Sequence, residues 1–364
     1  MSASALKGKL LEFFVRRIFF NCGFTEVIAD DVYLYESHGL FFINGKGAAH
    51  DADVLMDPPV QIPFAYPFRL LFECKSYESK VRIPIVRNAL GLREDINAFE
   101  IVTLDTIERR KNNRRAEYAI ENRRRYFYQV GVAAVHTFTR PAVEFAANNK
   151  IPLFSLEWLL NPNTISKIDF IDNEFVGTLG PVGYRGIKKY FGDRRKDSRN
   201  YHADALNGIQ RSQLLREIIS EFEETLRNIY IGIIETGDLI FLKYNSESNQ
   251  SDPLLQAERF NFRAAIHWRS QNPELWSLEL RMNNYYHQNQ TPSYDFYLPK
   301  TILAKWRESE FDKRQALDVK SEFFSRMFIF NRDRSSQFPF YLINLDDNWL
   351  AQAREILEVE NPEI

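Results

Sequence analysis

The stretch at residues 69–75, RLLFECK, constrains the fold of this 364-residue chain more than any other part of its sequence. Its apolar residues stand in direct succession, which is typical of a strand. The strand ends in two charged residues, Glu73 and Lys75. Because side chains two positions apart in a strand point to the same side, these two are predicted to share one face, while Cys74 turns into the core with Leu71.

A strand–helix–strand unit lies downstream of this strand. Residues 130–136 (VGVAAVH) and 151–154 are predicted to be strands, and residues 141–149 between them a helix whose alanines allow close packing. Such a unit predicts a sheet with helices packed on it. Other helices are predicted at residues 3–21, 84–99 and through the basic stretch to residue 128, and other strands at 32–35, 40–43, 52–56 and 101–104.

The chain divides into three predicted parts. Residues 1–160 form an α/β domain, and residues 161–207, which are rich in Asn, Asp, Gly and Arg, form a linker or an irregular segment. Residues 208–364 form an α+β domain that serves recognition, regulation or oligomerisation. Its helices are predicted at 208–228, 300–325 and 346–358, and its strands at 230–234, 239–244, 276–281, 296–298, 327–330 and 338–343.

Composition excludes several classes of protein. Two cysteines, Cys22 and Cys74, are too few for a disulfide framework or a multi-cysteine zinc site. No apolar stretch reaches the roughly 18–20 residues that a membrane span needs, and charged residues interrupt the N-terminal apolar residues where a secretory signal would have none. We therefore expect a reduced, cytoplasmic protein with no membrane partner.

The charge is distributed unevenly along the chain. A net charge of −2 argues against a dedicated nucleic-acid packaging protein, but residues 108–125 and 185–199 each carry a local net charge of +5. The first stretch is predicted to be either a phosphate-binding surface or a solvated helix in which Glu117 and Glu121 balance the basic residues. Its candidate nucleic-acid contacts are Arg109, Arg110, Lys111, Arg114, Arg115, Arg123, Arg124 and Arg125.

An acidic residue, Asp53, precedes the apolar strand and forms a candidate metal-binding set with its charged residues. Asp53 lies twenty residues before Glu73, so Asp53, Glu73 and Lys75 converge if their strands pair. Two carboxylates at about 4 Å repel by roughly 4 kcal/mol at an effective dielectric near 20, which favours a bound cation. Oxygen ligands suit Mg²⁺ or Mn²⁺, and a nearby lysine can orient or deprotonate water or stabilise a phosphorane. These groups together predict metal-assisted hydrolysis of a phosphodiester.

Asp53 followed by Glu73-x-Lys75 resembles the PD-(D/E)xK signature of the restriction-endonuclease-like nucleases, and the Mrr-like branch is the most similar. Glu12 stands in the first helix where that branch has a glutamate, and VAAVHTFTRPAVEFAANNKIPLF resembles its closing strand–helix–strand unit. The resemblance covers about residues 1–160. It implies a mixed central sheet flanked by helices, metal ligation by Asp53 and Glu73, and a magnesium-dependent endonuclease acting on DNA, in restriction or defence against foreign DNA.

The pattern departs from the family in two places, and several residues have a second interpretation. No proline precedes Asp53, and Mrr-like proteins often carry Gln where Glu73 stands. Asp51 competes with Asp53 for the metal role. Glu12 neighbours Lys9 and Arg16 on a helical wheel, so a solvated helix face fits it equally well. His50 fits either an accessory role beside the site or an ordinary position in a turn.

Three functions fit this sequence. The first is the DNA endonuclease, which is expected to act as a homodimer if it cuts both strands. The second is a non-catalytic nucleic-acid-binding module on a nuclease fold. The third is a nuclease that acts on RNA or is activated by a ligand or protein, and the sequence does not identify that activator.

Overall fold

The computed structural model describes residues 2–27, 29, 33–37, 40–61, 65–100, 108, 111, 125–192, 209, 212–245, 252–255, 257, 259–269, 272–281, 292–308, 310–333 and 336–360. Over these residues the protein is mixed α/β, with nine helices and fifteen strands. The helices are α1 Ala3–Asn21, α2 Ile83–Asn97, α3 Arg140–Asn148, α4 Pro162–Asp169, α5 Asn173–Gly192, α6 Gln213–Leu226, α7 Lys300–Glu308, α8 Lys313–Phe323 and α9 Asp347–Glu360. The strands are β1 Thr25–Glu26, β2 Leu34–Ser37, β3 Leu40–Asn44, β4 Ala49–Asp51, β5 Val54–Asp57, β6 Phe68–Lys75, β7 Phe127–Ala134, β8 Leu153–Ser155, β9 Ile229–Ile234, β10 Leu239–Tyr244, β11 Asn261–Arg269, β12 Asn272–Arg281, β13 Ser293–Tyr297, β14 Arg326–Phe330 and β15 Phe340–Leu345.

The N-terminal part is built on a five-stranded sheet with the strand order β1-β5-β6-β7-β8. β5 runs antiparallel to β1 and β6, whereas β6, β7 and β8 are parallel. The middle strand, β6, is buried on both faces: Leu70 and Phe72 face the core that contains α1, and Leu71 faces the core that contains α2 and α3. This burial explains the unbroken apolar run, because a strand between two layers of helices has no solvent face.

Gly131 allows a close contact between β6 and its parallel neighbour β7. A Cβ atom at this position would lie 2.6 Å from the Phe72 ring and 2.8 Å from the carbonyl oxygen of Pro152. The missing side chain therefore makes room for a large aromatic ring at the centre of the sheet.

A second, three-stranded sheet with the order β2-β3-β4 lies beside the first. The predicted hairpin is present, with its first strand shifted to Leu34–Ser37. The short strand predicted at 52–56 is present as β5 with its ends shifted to Val54–Asp57, and a separate strand, β4, ends at Asp51. Between the two strands the chain crosses from the small sheet to the large one. The backbone N–H of Ala52 still donates to Phe41 O at 2.8 Å, which marks the last contact with the small sheet.

Two helices, α4 and α5, occupy the described part of the segment predicted as a linker or irregular region. Their apolar side chains, including Ile165, Ile168, Ile187 and Phe191, are buried in one core with α1. Helical spacing of apolar residues thus outweighs the Gly-rich composition. Gly180, with φ of 64°, and Pro181 bend α5 in place of ending it.

The basic stretch does not continue as a helix to residue 128, since Phe127 and Tyr128 already belong to β7. The strand predicted at 101–104 lies outside the described residues.

A closed barrel of seven strands forms the C-terminal part, in the order β9-β10-β13-β12-β11-β15-β14. β11 and β15 are parallel and all other neighbours are antiparallel. Trp276, Tyr294 and Phe296 are fully buried inside it. The α+β expectation did not include closure, and it missed β11, although Phe262, Ala264 and Ile266 alternate there as a half-buried strand requires.

The predicted helix at 300–325 is two helices, α7 and α8. Glu310 and Phe311 between them have positive φ values of 55° and 61°. Asp312 then caps α8 by accepting a hydrogen bond of 2.9 Å from Gln315 N.

The barrel packs directly on the N-terminal core. The ring of Phe241 on β10 lies 4.3 Å from that of Phe154, and the ring of Phe330 lies 5.0 Å from that of Phe24. Among the helices that the structure describes, none has the length and apolar character that crossing a bilayer takes.

Candidate active site

The carboxyl end of β6 presents Glu73 and Lys75 side by side. Their side chains are partly exposed, and Lys75 Nζ lies 3.2 Å from Glu73 Oε2. The two share a face as predicted, but Cys74 points to the opposite face together with Leu70 and Phe72, not with Leu71. Alternation along a strand requires this, since Leu71 is two positions from Glu73.

Asp53 sits in the bend between β4 and β5, immediately before the strand that pairs with β6. The pairing of Val54 with Phe72 brings Asp53 opposite Glu73. Its Oδ2 atom accepts a hydrogen bond of 2.8 Å from the backbone N–H of Cys74. The backbone between Glu73 and Lys75 therefore fixes the Asp53 carboxylate in place.

Glu12 approaches the same place from the other side of the sheet, on α1. Its side chain is only 6% exposed, so the alternative of a solvated helix face is wrong. Lys9 Nζ lies 2.7 Å and Arg16 Nη1 3.8 Å from Glu12 Oε2. Burial and the negative charge of Asp53 raise the pKa of Glu12, although Lys9 and Arg16 oppose the rise. We refer to Glu12, Asp53 and Glu73 as the acidic cluster.

Lys75 and Cys74 respond to the same carboxylates. Burial alone would lower the pKa of Lys75, but the charges of Glu73 and Asp53 raise it above its usual value, so this ammonium stays protonated at neutral pH. Burial raises the pKa of the Cys74 thiol, and the charges of Asp53 and Glu12 raise it further. Cys74 is therefore a neutral core residue and not a nucleophile.

Asp53 and Glu73 carry carboxylate oxygens, the donors that suit a magnesium ion. The pKa of Glu12 is raised first by burial and then by the charge of Asp53. Within the described ranges, no group of three or more His, Cys, Asp or Glu side chains is arranged to hold a metal ion. Mg²⁺ does not need such a group, since it is usually bound through one or two carboxylates, water and substrate phosphate.

The comparisons with known proteins assign no family. No family model matches the chain, and no curated protein matches it. A solved protein of unknown function, AF1548, is 14% identical and aligns over 61% of this chain and 98% of its own, with a TM-score of 0.30. A TM-score of 0.30 does not indicate a shared fold or a shared function.

The two accessory candidates lie in the small sheet. His50 Nε2 lies 2.7 Å from Asp95 Oδ2 on α2, and the backbone N–H of Gly47 donates to the other oxygen of Asp95 at 2.7 Å. The hydrogen bond with His50 lowers the pKa of Asp95. His50 lies on β4 itself and not in a turn, and its contact with Asp95, together with that of Gly47, ties the β3–β4 hairpin to α2. Asp51 is exposed at the end of β4, opposite Phe42.

Only two of the eight basic candidates fall within the described residues. Lys111 is exposed, and Arg125 lies just before β7, near the amino-terminal end of β6. Arg125 is thus at the far end of the strand from Glu73 and Lys75. The remaining candidates, Arg109, Arg110, Arg114, Arg115, Arg123 and Arg124, lie outside the described residues. From the second basic stretch, Arg185, Lys188 and Lys189 are exposed on α5.

Sequence reasoning did not single out the polar residues at the carboxyl end of β7. His136 Nε2 lies 3.2 Å from Asp169 Oδ1 at the end of α4, and its Nδ1 lies 4.0 Å from Glu157 Oε2. Lys7 of α1 donates to the carbonyl oxygen of Asp169 at 3.1 Å. These contacts join α1, α4 and β7 at the edge that carries Lys75. The position of His136 at the end of an apolar strand was the available signal.

Proposed function

We propose that the protein is a magnesium- or manganese-dependent endonuclease of the PD-(D/E)xK type that hydrolyses phosphodiester bonds of DNA. The observation that carries the proposal is the hydrogen bond from Cys74 N to Asp53 Oδ2. It holds one carboxylate against the strand that presents Glu73 and Lys75, so two oxygen donors and one ammonium meet at a single sheet edge.

Each residue has a distinct task in this proposal. Asp53 and Glu73 would hold the ion, and a bound Mg²⁺ supplies a Lewis acid and lowers the pKa of water. The charges of Glu73 and Asp53 raise the pKa of Lys75, which favours its ammonium form. In this form it donates hydrogen bonds to the attacking water or to phosphate oxygens, where charge develops. Glu12 adds a third carboxylate behind Asp53.

The test is a parallel digest of supercoiled plasmid, linear DNA and RNA with Mg²⁺, Mn²⁺ or EDTA. We expect the wild type to cleave DNA with metal but not with EDTA, and Lys75→Ala and Glu73→Gln to be inactive. Glu274→Gln is the matched control, since Glu274 also bonds a lysine, Lys300, but does so at the barrel. A nicked product indicates one cut per encounter, and a linear product indicates a pair of sites.

Other outcomes separate the alternatives. If the wild type cleaves only RNA, the substrate is RNA and not DNA. Equal cleavage by the wild type and all variants would refute the assigned site. If no substrate is cut by the wild type, the proposal fails and the non-catalytic nucleic-acid-binding module takes its place, which a gel shift of the wild type on DNA then tests.

A further inference from the structure

A cleft of about 390 Å³ opens near the amino-terminal end of β6, at the opposite end of the strand from Glu73 and Lys75. We call it the tyrosine cleft; its lining residues are Asp57, Gln61, Tyr66, Pro67, Arg125 and Tyr126. Five residue steps of about 3.3 Å separate Phe68 from Glu73, so the cleft lies roughly 17 Å from the acidic cluster. Its volume falls within the range of small-molecule sites.

Two aromatic rings and two guanidinium groups define the chemistry of the cleft. Tyr66 is 56% exposed, and the guanidinium of Arg125 lies over its ring at 5.2 Å. The guanidinium of Arg69 lies over the ring of Tyr126 at 3.4 Å. Each ring thus lies beside a cation, and the exposed Tyr66 ring is open to a flat ligand.

The walls of the cleft are held by the protein itself. The side-chain amide of Gln61 bonds both backbone groups of Phe68, accepting from its N–H at 2.6 Å and donating to its carbonyl at 3.1 Å. Arg125 donates to Glu100 at 2.9 Å and to the carbonyl of Asn97 at 3.3 Å. A site that is ordered before binding loses less entropy when a ligand arrives.

The cleft offers an anion the hydrogen-bond donors of Arg125, whose charge is paired with that of Glu100 at 2.9 Å. Arg69 Nε lies 3.0 Å from Asp57 Oδ1 and so neutralises the one carboxylate in the lining. Arg125 has five N–H donors, and Glu100 and Asn97, its hydrogen-bond partners among the described residues, take two of them.

We propose that the tyrosine cleft binds a nucleoside phosphate, with the base stacked on Tyr66 and Tyr126 and the phosphate on Arg125. Aromatic rings beside an arginine are the usual means of holding unpaired bases, because every base has a π face. The nucleotide comes either from a single-stranded segment of nucleic acid or from a free mononucleotide. The site is independent of the proposed nuclease activity, since it shares no residue with the acidic cluster.

The test measures binding of a labelled oligothymidylate by fluorescence anisotropy in EDTA, so that cleavage plays no part. Tyr66→Ala and Arg125→Gln are each expected to weaken binding about tenfold. Arg125→Gln is also expected to reduce the slope of log affinity against log salt concentration by about 1. Phe260→Ala is the matched control, because Phe260 is 43% exposed on the barrel. It should bind like the wild type.

A competition with thymidylate and adenylate identifies the source of the nucleotide. Displacement of the oligonucleotide by a mononucleotide indicates a free nucleotide, and binding of the oligonucleotide alone indicates a strand. Both results support the proposal. It is overturned if the wild type binds neither ligand, or if Tyr66→Ala and Arg125→Gln both bind like the wild type. Because the binding assay does not require cleavage, failure of the protein to cut DNA would not change the conclusion about the tyrosine cleft.

Discussion

The carboxylate of Asp53 and the backbone N–H of Cys74 are joined by a hydrogen bond of 2.8 Å, which fastens the entry to β5 onto the end of β6. Asp53 is also the member of the acidic cluster that interacts electrostatically with both Glu12 on α1 and Lys75 on β6. The charge of Asp53 therefore acts on both faces of the central sheet. Its Oδ2 atom also links the start of β5 to the end of β6.

The charge and the hydrogen bond of Asp53 can be separated by substitution. In Asp53→Asn the side-chain oxygen still accepts from Cys74 N, so thermal stability is expected to stay near that of the wild type, whereas cleavage falls at least about a hundredfold with the lost ion ligand. Asp53→Ala should lose cleavage and also about 1 kcal/mol or more of stability, because the N–H is left unpaired. Melting curves and plasmid digests on both variants check this. Equal stability of the two variants would show that the hydrogen bond does not hold the sheet edge.

Glu12→Gln is expected to stabilise the protein at neutral pH. Burial and Asp53 raise the pKa of Glu12 above 4.5, so the folded state binds this proton more tightly than the unfolded state. The side chain then contributes stability below pH 4.5 that is lost as the pH rises through its folded pKa. The gain in the variant should be largest at neutral pH and vanish under acid conditions. Urea unfolding over this range measures it, and a variant that is less stable at neutral pH would show that the pairing with Lys9 and Arg16 dominates.

The sequence predicted the local elements better than their arrangement. The apolar run of β6, the α1 helix and the strand–helix–strand unit carry their periodicity in neighbouring residues. The α1 helix is present with the predicted ends, and the others are present with shifted ends. Closure of the barrel depends on pairing between β11 and β15, strands that are more than 70 residues apart. No local pattern encodes such a pairing.

The candidate site shows the same division. The alternation of Glu73, Cys74 and Lys75 is a local property, and it placed the two charged side chains together. The burial of Glu12 results instead from packing of α1 on the sheet. A helical wheel does not predict such tertiary packing. The role of His50 depends on Asp95, a residue 45 positions away.

Gly131→Ala is expected to destabilise the protein by about 1–3 kcal/mol, the usual cost of overpacking. The new Cβ would lie 2.6 Å from the Phe72 ring and 2.8 Å from Pro152 O, in the middle of three parallel strands. Gly91→Ala provides the opposite control: nothing lies within 4 Å of its Cβ position on α2, so alanine should stabilise that helix by about 0.5–1 kcal/mol. Chemical denaturation of both variants measures the change in the free energy of unfolding, which should fall for Gly131→Ala and rise for Gly91→Ala. A neutral result at Gly131 would mean that Phe72 moves aside at little cost.

Lys320→Met tests a buried charge inside the C-terminal part. Lys320 on α8 is 4% exposed, with its ammonium 5.4 Å from the Trp276 ring and 5.2 Å from the Trp349 ring. Burial lowers its pKa from 10.5 to about 8, so the charged form destabilises the folded state below pH 8 and wild-type stability should rise between pH 8 and pH 10.5.

Methionine keeps the length of Lys320 and removes its charge, so Lys320→Met is expected to gain up to about 3 kcal/mol at neutral pH. The loss of the two ring contacts reduces this gain. The advantage over the wild type should shrink as the pH approaches 10.5. Lys305→Met is the matched control, because Lys305 is half exposed and pairs with Glu322, so its removal should change stability by less than about 1 kcal/mol. Urea unfolding of the three proteins across this pH range measures both effects. A stability of Lys320→Met below that of the wild type at neutral pH would show that the tryptophan rings more than offset the cost of burying the ammonium.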